Sequence, residues 1–223
     1  MDFNRWYPVY IDIMHDFGWD IEKDYIASLI LYKNSINKNT GDIYVLEKLI
    51  RGNTVLVIGN GPEFDEQIVK WIRSDDAVVI AADSVVGKLY KLGVIPDVIT
   101  TDLDGDIMAI KGCVQKGALA IIHAHGDNIK NLSKVGEIVE EHSFITTTQC
   151  VPFDTIYNFG GFTDGDRAAF IAREFFCGDL YLYNFNFDLP VISVGKDYGI
   201  KKRKLKWAKY LIDTFIKPKW LKI

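Results

Sequence analysis

Apolar positions follow two patterns along this chain, and the change between them sets the expected architecture. Up to about residue 50 they recur at helical spacing. Ile21, Tyr25, Ile26, Leu29 and Ile30 form a stripe behind a capping Asp20 and run to a polar break at residues 34–39. Val45, Leu46, Leu49 and Ile50 form another, with Thr40 or Asp42 as its cap and Arg51-Gly52-Asn53 as its stop. From Thr54 the pattern becomes short unbroken apolar runs, at Val55–Ile58, 77–82, 98–100, 119–122, 144–146 and Leu180–Tyr183. Amphipathic stretches at 63–73, 85–92, 107–116, 129–141 and 166–176 fill most of the gaps. Continuous apolar strands are covered on both faces, and strand–helix alternation gives a parallel sheet between helices. The expected fold class is α/β, a Rossmann-like three-layer domain with a mostly parallel sheet. It divides into an N-terminal helical segment (1–50), the Rossmann-like domain (51–200) and a C-terminal basic helix (201–223). In that last segment Leu205, Ala208, Leu211, Ile212 and Phe215 form an apolar stripe that should dock.

Charge sharpens this picture. Residues 201–223 carry nine Lys/Arg against one acid, Asp213, a net of +8. The other 200 residues hold 17 basic and 29 acidic side chains, a net of −12, and the two together give the chain's −4. An acidic body with a basic tail suits metal-bound or polyanionic chemistry and argues against a nucleic-acid-binding surface. Three scattered cysteines make neither a disulfide framework nor a zinc site. Asp2, Arg5, Asp12, Asp16 and Asp20 break any secretory signal pattern, and no apolar run is long enough to cross a membrane. The expectation is a soluble cytoplasmic protein.

In an open parallel sheet the ligand sits beyond the carboxyl ends of the strands, so the residues following each run matter most. They are Gly59-Asn60-Gly61-Pro62, Asp83-Ser84, Thr101-Asp102-Leu103-Asp104-Gly105, His123-Ala124-His125-Gly126-Asp127-Asn128 and Gly161-Phe162-Thr163-Asp164-Gly165-Asp166-Arg167. The glycine turn reads either as a phosphate loop or as an ordinary strand–helix turn; it lacks the third glycine of a dinucleotide fingerprint, and the chain has no Walker A motif. Asp102 and Asp104, if extended, point to one side, where a divalent cation would relieve their repulsion. The plainer alternative has Asp104 capping the helix near Asp106. Asp83, Asp127, Asp164 and Asp166 fall at equivalent strand ends, which favours the cation. His123 and His125 read as a hydrogen-bonding or phosphate-contacting pair in preference to zinc ligands. Asp164 either caps its helix or projects into the site. Arg167, one of six arginines, either clamps a phosphate or pairs with Asp164 or Asp166.

Ala82-Asp83-Ser84 followed by Pro96-Asp97-Val98-Ile99-Thr100-Thr101-Asp102-Leu103-Asp104-Gly105 resembles the central motif of thiamine pyrophosphokinases, with Ser84, Thr101 and Gly105 as departures. No room remains after Leu189 for that family's β-rich C-terminal domain. The four clusters from Gly59, Thr101, His123 and Gly161 together resemble the archaeal 6-hydroxymethyl-7,8-dihydropterin pyrophosphokinases over about residues 50–210. The resemblance implies Mg²⁺-dependent transfer of diphosphate from ATP to the hydroxymethyl group of a reduced pterin, releasing AMP, on the way to folate or methanopterin-type carriers. It implies metal ligation by Asp83, Asp102 and Asp104, with Asp127 as a further ligand and candidate proton acceptor. The nucleotide would then meet Gly59, Asn60, Gly61, Ser84, His125, Thr163, Asp164, Arg167 and Lys196 or a tail lysine. Residues 184–188 offer amide, acid and aromatic groups for the pterin, although Phe185 and Phe187 equally suit core packing. A homodimer through the apolar N-terminal helices is expected from the same resemblance. The competing readings are another acceptor (thiamine, a different heterocycle or a sugar), a nucleotide-binding module without turnover, and a metal-dependent hydrolase built on His123 and His125.

Overall fold

Both faces of the central strands are apolar because both are covered. Along β1 (Val55–Ile58), Val55 and Val57 face one way and Leu56 and Ile58 the other, and all four are buried. The computed structural model describes residues 2–62, 64–74, 76–191 and 197–221. Among these, eight strands form one sheet: β1, β2 (Val78–Ala82), β3 (Val98–Thr101), β4 (Leu119–Ala124), β5 (Phe144–Thr148), β6 (Ile156–Tyr157), β7 (Leu180–Tyr183) and β8 (Lys219–Trp220). Their order is β6-β5-β4-β3-β2-β1-β7-β8 and every pairing is parallel. Strands β1 to β6 therefore step outwards in one direction, and the chain then returns to place β7 on the free side of β1. The reversal between β1 and β7 is the switch point at which such sheets open a crevice.

One layer packs α2 (Ile21–Ser35), α5 (Asp83–Lys91), α6 (Ile107–Gln115) and α7 (Val135–Val139) around Leu56, Val79, Ile99 and Ile122. The opposite layer packs α1 (Phe3–Phe17), α3 (Tyr44–Ile50), α8 (Asp164–Glu174) and α9 (Tyr198–Leu211) around Val57, Ile80, Val98 and Ile121. The short α4 (Ile68–Ser74) begins later than the apolar pattern from residue 63 suggested. Asp20 caps α2 through Glu22 N, and Asp42 rather than Thr40 accepts from Tyr44 N at the start of α3. The stretch expected as one helix over 129–141 is a 3₁₀ turn followed by α7. The apolar stripe of the basic C-terminal segment docks as its pattern required, burying Ala208, Leu211 and Ile212. No helix among the described residues is long and apolar enough to cross a membrane.

Candidate active site

The carboxyl ends of the strands open onto a cleft that α9 lines from the other side with Ile200, Lys201 and Lys204. A second hollow continues it towards the β1–β7 switch point and shares Asn60, Ser84, Thr163, Asp164 and Lys201. Asp83 opens α5, Asp102 follows β3 and Asp164 opens α8, and one carboxylate oxygen of each lies within 4.8 Å of the others.

The local backbone is built to hold this trio. Asp83 is buried; one oxygen accepts from the Thr101 hydroxyl, and the other, Oδ1, is buried with no hydrogen-bond partner. Thr101 Oγ1 also accepts from Leu103 N at 2.8 Å, and Leu103 holds the left-handed conformation (φ 64°) that turns the loop. Gly105 faces Asp83 so closely that a Cβ there would lie 1.6 Å from Oδ1. Thr100 Oγ1 donates to Asp164 O at 2.9 Å and pins the start of α8 to β3. Asn128 braces the third side, donating to Asp102 O (2.9 Å) and His123 O (2.7 Å) while accepting from His125 N (3.0 Å). His125 Nε2 then lies 3.0 Å from Asp102 Oδ2.

Electrostatics divide the three acids. Burial and the Asp102 charge push the Asp83 carboxyl up to about 7. Burial together with Asp102 and Asp83 also raises Asp164 well above its ordinary value. Burial acts on Asp102 in the same direction, yet the hydrogen bond and charge of His125, with Asp104 and Lys204, hold it down to about 2. A buried carboxylate oxygen without a donor, beside two further carboxylates, fits a hard divalent cation with oxygen ligands. Mg²⁺ is such an ion, and Asp83, Asp102 and Asp164 are the residues that would hold it.

Several expected site residues stand elsewhere. Asp127 is exposed and is not brought to the trio; it borders an adjoining hollow that shares Trp19, His125 and Gln149 with the cleft. Asp104 lies exposed at the rim, its N–H 3.3 Å from Asp102 Oδ1, and it does not cap α6, because Asp106 does so through Ala109 N. Asp166 completes a capping box with Thr163, accepting from Phe162 N (2.6 Å), Thr163 N (2.8 Å) and the Thr163 hydroxyl, so it serves the helix and frees Asp164 for the cleft. The glycine turn is not an amide cradle. Gly59 N donates to Tyr183 O (3.0 Å) and Gly61 N to Asn184 O (2.7 Å), while Asn184 Nδ2 donates to Gly59 O (3.0 Å). Its glycines answer to crowding: a Cβ on Gly61 would lie 2.5 Å from Asn184 O, and one on Gly59 2.9 Å from the Phe185 ring. Arg167 is buried in the wall of the cleft, donates to Gly161 O (3.0 Å) and Phe162 O (3.3 Å), and makes no salt bridge with Asp164 or Asp166. His123 and His125 converge with no third ligand among the described residues. Ser84, Asn60, Asp104, Thr163, His125 and Arg167 do line the cleft and Gly59 and Gly61 line its switch-point hollow, whereas Lys196 lies outside the described residues.

Residues 31–190 match the model of the 6-hydroxymethylpterin diphosphokinase MptE-like family. The chain belongs to this family. Three archaeal relatives, each named 6-hydroxymethyl-7,8-dihydropterin pyrophosphokinase, align almost end to end. That of Pyrococcus furiosus is 35% identical over 233 residues, covering 100% of this chain and 95% of the relative. That of Methanocaldococcus jannaschii is 34% identical, covering 98% and 97%. That of Methanothermobacter thermautotrophicus is 31% identical, covering 96% and 94%. The segment matched by the family model contains the whole carboxylate trio.

Other walls of the cleft come from outside that segment. Trp19, in the α1–α2 turn, stacks on Phe17 at 4.3 Å between ring centroids and lies 6.0 Å from Phe162. Lys204 Nζ stands 5.0 Å from the centre of the Trp19 ring. Asp197 caps α9 through Ile200 N and so sets Lys201 and Lys204 on the cleft side. Within the matched segment, Gln149 reaches the cleft just past the end of β5. Neither Trp19 nor Gln149 carries a local sequence signal, because each lines the cleft only through long-range packing.

Proposed function

We propose that this protein transfers the diphosphate group of ATP to the hydroxymethyl oxygen of 6-hydroxymethyl-7,8-dihydropterin and releases AMP. The observation that carries this reading is the convergence of Asp83, Asp102 and Asp164, the last two lining a cleft whose α9 side carries Lys201 and Lys204. The relatives' shared name supports the acceptor. In the reaction the hydroxymethyl oxygen bonds to the β-phosphorus, the bond from that phosphorus to the α,β-bridging oxygen breaks, and AMP leaves with the bridging oxygen. Such transfers depend on in-line positioning and neutralised phosphate charge. A bound Mg²⁺ supplies part of that neutralisation by polarising phosphate oxygens. Lys201 and Lys204 contribute positive charge along the polyphosphate, and the first turn of α8 presents its amide end to the same space. His125 holds Asp102 ionised and oriented. Thr101 and Gly105 fix Asp83, and Arg167 supplies a buried positive charge beneath the acids. Asp127 has no step in this scheme.

The three cysteines are free in the structure, in keeping with a reducing cytoplasm. The exposed apolar stripe of Tyr25, Ile26 and Leu29 on α2 is the surface we assign to a homodimer. The test of function is an incubation with ATP, Mg²⁺ and the reduced pterin, with thiamine in a parallel reaction. Equal amounts of AMP and pterin diphosphate without ADP are expected. Formation of ADP, AMP only with thiamine, or nucleotide binding without turnover would contradict the proposal.

A further inference from the structure

The carboxylate trio separates two ends of the cleft. The switch-point end carries Asn184 and Phe185, with Leu205 and Ala208 of α9. The inner end carries Trp19 and Phe162 as its aromatic wall and His123 and Gln149 as its polar floor. His123 is 1% exposed and Gln149 3%, so these are interior polar groups and their hydrogen bonding must be accounted for atom by atom.

At His123, Nδ1 lies 3.1 Å from Thr147 Oγ1, and that hydroxyl lies 3.3 Å from Ile122 O. The carbonyl takes the hydroxyl proton, so the hydroxyl oxygen accepts and Nδ1 carries the imidazole hydrogen. Nε2 is then a bare acceptor, and it is buried without a partner. The amide of Gln149 is oriented from its other side. Its Nε2 donates to Asp24 Oδ2 at 2.7 Å, and Asp24 also accepts from Tyr10 Oη (2.8 Å) and Gly126 N (2.7 Å). A carboxylate taking three donors fixes which end of the amide faces it and leaves Gln149 Oε1 turned away from it. His123 Nε2, a buried acceptor without a donor, is unfavourable by about 1–3 kcal/mol unless a ligand supplies the hydrogen, and Gln149, which interacts with His123 and lines the same cleft, brings a second acceptor beside it.

We propose that Gln149 Oε1 and His123 Nε2 read the acceptor substrate, pairing with an adjacent ring N–H and exocyclic amino group of the kind found on a 2-amino-4-oxopyrimidine edge. This rests on the function proposed above and assigns the heterocycle to the inner end and the nucleotide to the switch-point end. A 4-aminopyrimidine, whose amino group neighbours a single bare ring nitrogen, would set acceptor against acceptor at one of the two positions. The His123–His125 stack, 5.8 Å between centroids, leads from this floor to Asp102, so a fused two-ring heterocycle lying along it directs its far substituent at the acids. Residues 184–188 accordingly belong to the nucleotide end and do not hold the pterin.

The experiment titrates wild type, Gln149→Leu and His123→Phe with 6-hydroxymethylpterin and its N3-methyl analogue, read by pterin fluorescence without ATP. Steady-state KM values for both substrates are measured on the same proteins, with thermal midpoints as a check on folding. The proposal expects each variant to bind the pterin at least tenfold more weakly while KM for ATP stays within twofold. It also expects wild type to bind the methylated analogue at least tenfold more weakly, a penalty that falls below threefold in the variant lacking the matching acceptor. Pterin binding unchanged in both variants overturns it. So does a wild type that turns over the pterin but does not discriminate against methylation, a result that needs no folded variant and leaves the proposed reaction standing. A wild type that neither binds nor turns over the pterin removes the proposed reaction as well.

Discussion

Replacing Gly105 by alanine isolates the geometry that holds Asp83. Gly105 does not adopt a positive φ, so alanine brings no backbone penalty, and the perturbation is the Cβ alone. That Cβ would lie 1.6 Å from Asp83 Oδ1 and 2.8 Å from its Cγ. Restoring a contact of 3.0 Å requires Asp83 or the loop to move by about 1.4 Å. Asp83 is 1% exposed and its other oxygen is held by the Thr101 hydroxyl, so the shift must be taken up inside the fold. Overpacking of this kind destabilises by about 1–3 kcal/mol, and a displacement near 1 Å at a reacting centre lowers turnover about a hundredfold. Gly105→Ala is therefore expected to remain folded with a lower thermal midpoint, to lose about a hundredfold in kcat, and to need more Mg²⁺ for half-maximal rate. The assay is pterin-dependent AMP formation across a Mg²⁺ series, beside a thermal melt. A variant with normal kcat and normal Mg²⁺ dependence would refute the role given to this close approach.

Asp166→Ala removes the acceptor of two backbone N–H groups and the Thr163 hydroxyl at the start of α8. A loss of about 2–4 kcal/mol is expected from the lost cap and the stranded donors, visible as a lower urea midpoint; an unchanged midpoint would contradict the capping assignment. The raised carboxyl of Asp83 makes a pH prediction. With its folded value near 7 and its ordinary value at 3.8, the native state keeps a proton that the unfolded chain has lost. Without a divalent cation, this group's contribution to stability falls by up to about 1.4 kcal/mol per unit as pH rises from about 4 to 7, then levels. A cation must displace that proton, so apparent Mg²⁺ affinity should strengthen up to about pH 7 and then flatten, as calorimetric titrations at several pH values would show. Lys204→Ala should raise KM for ATP about tenfold and shift the Trp19 fluorescence; an unchanged KM would remove it from the polyphosphate path.

The layered α/β fold was legible because burial on both faces writes itself as unbroken apolar runs, as in Val55–Ile58. The two-residue strands β6 and β8 were not, because two residues carry no period and depend on pairing with β5 and β7. At the site, position and motif single out Asp83 and Asp102, and the structure brings them together with Asp164. Asp164 was flagged as either a cap or a projecting acid, and the choice rested on Asp166 taking the cap, a decision made in three dimensions. The glycine turn lines the switch-point hollow, but the N–H groups of Gly59 and Gly61 are committed to the fold. Glycines selected for close strand-loop packing have the same spelling as glycines that bare their amides to phosphate, and only the hydrogen bonds to Tyr183 and Asn184 separate the two. Asp127 stood correctly at a strand end, but the turn braced by Asn128 carries it outward. Trp19 and Gln149 left no local trace.

The central claim is that Asp83, Asp102 and Asp164 form the divalent-cation site, and binding of Mn²⁺ followed by electron paramagnetic resonance tests it most directly. Wild type, Asp164→Asn and Asp127→Asn would be titrated side by side in the presence of a non-hydrolysable ATP analogue. The account predicts that Asp164→Asn weakens Mn²⁺ binding at least tenfold while Asp127→Asn binds like wild type. The reverse pattern, or a wild type that binds no Mn²⁺, would contradict it.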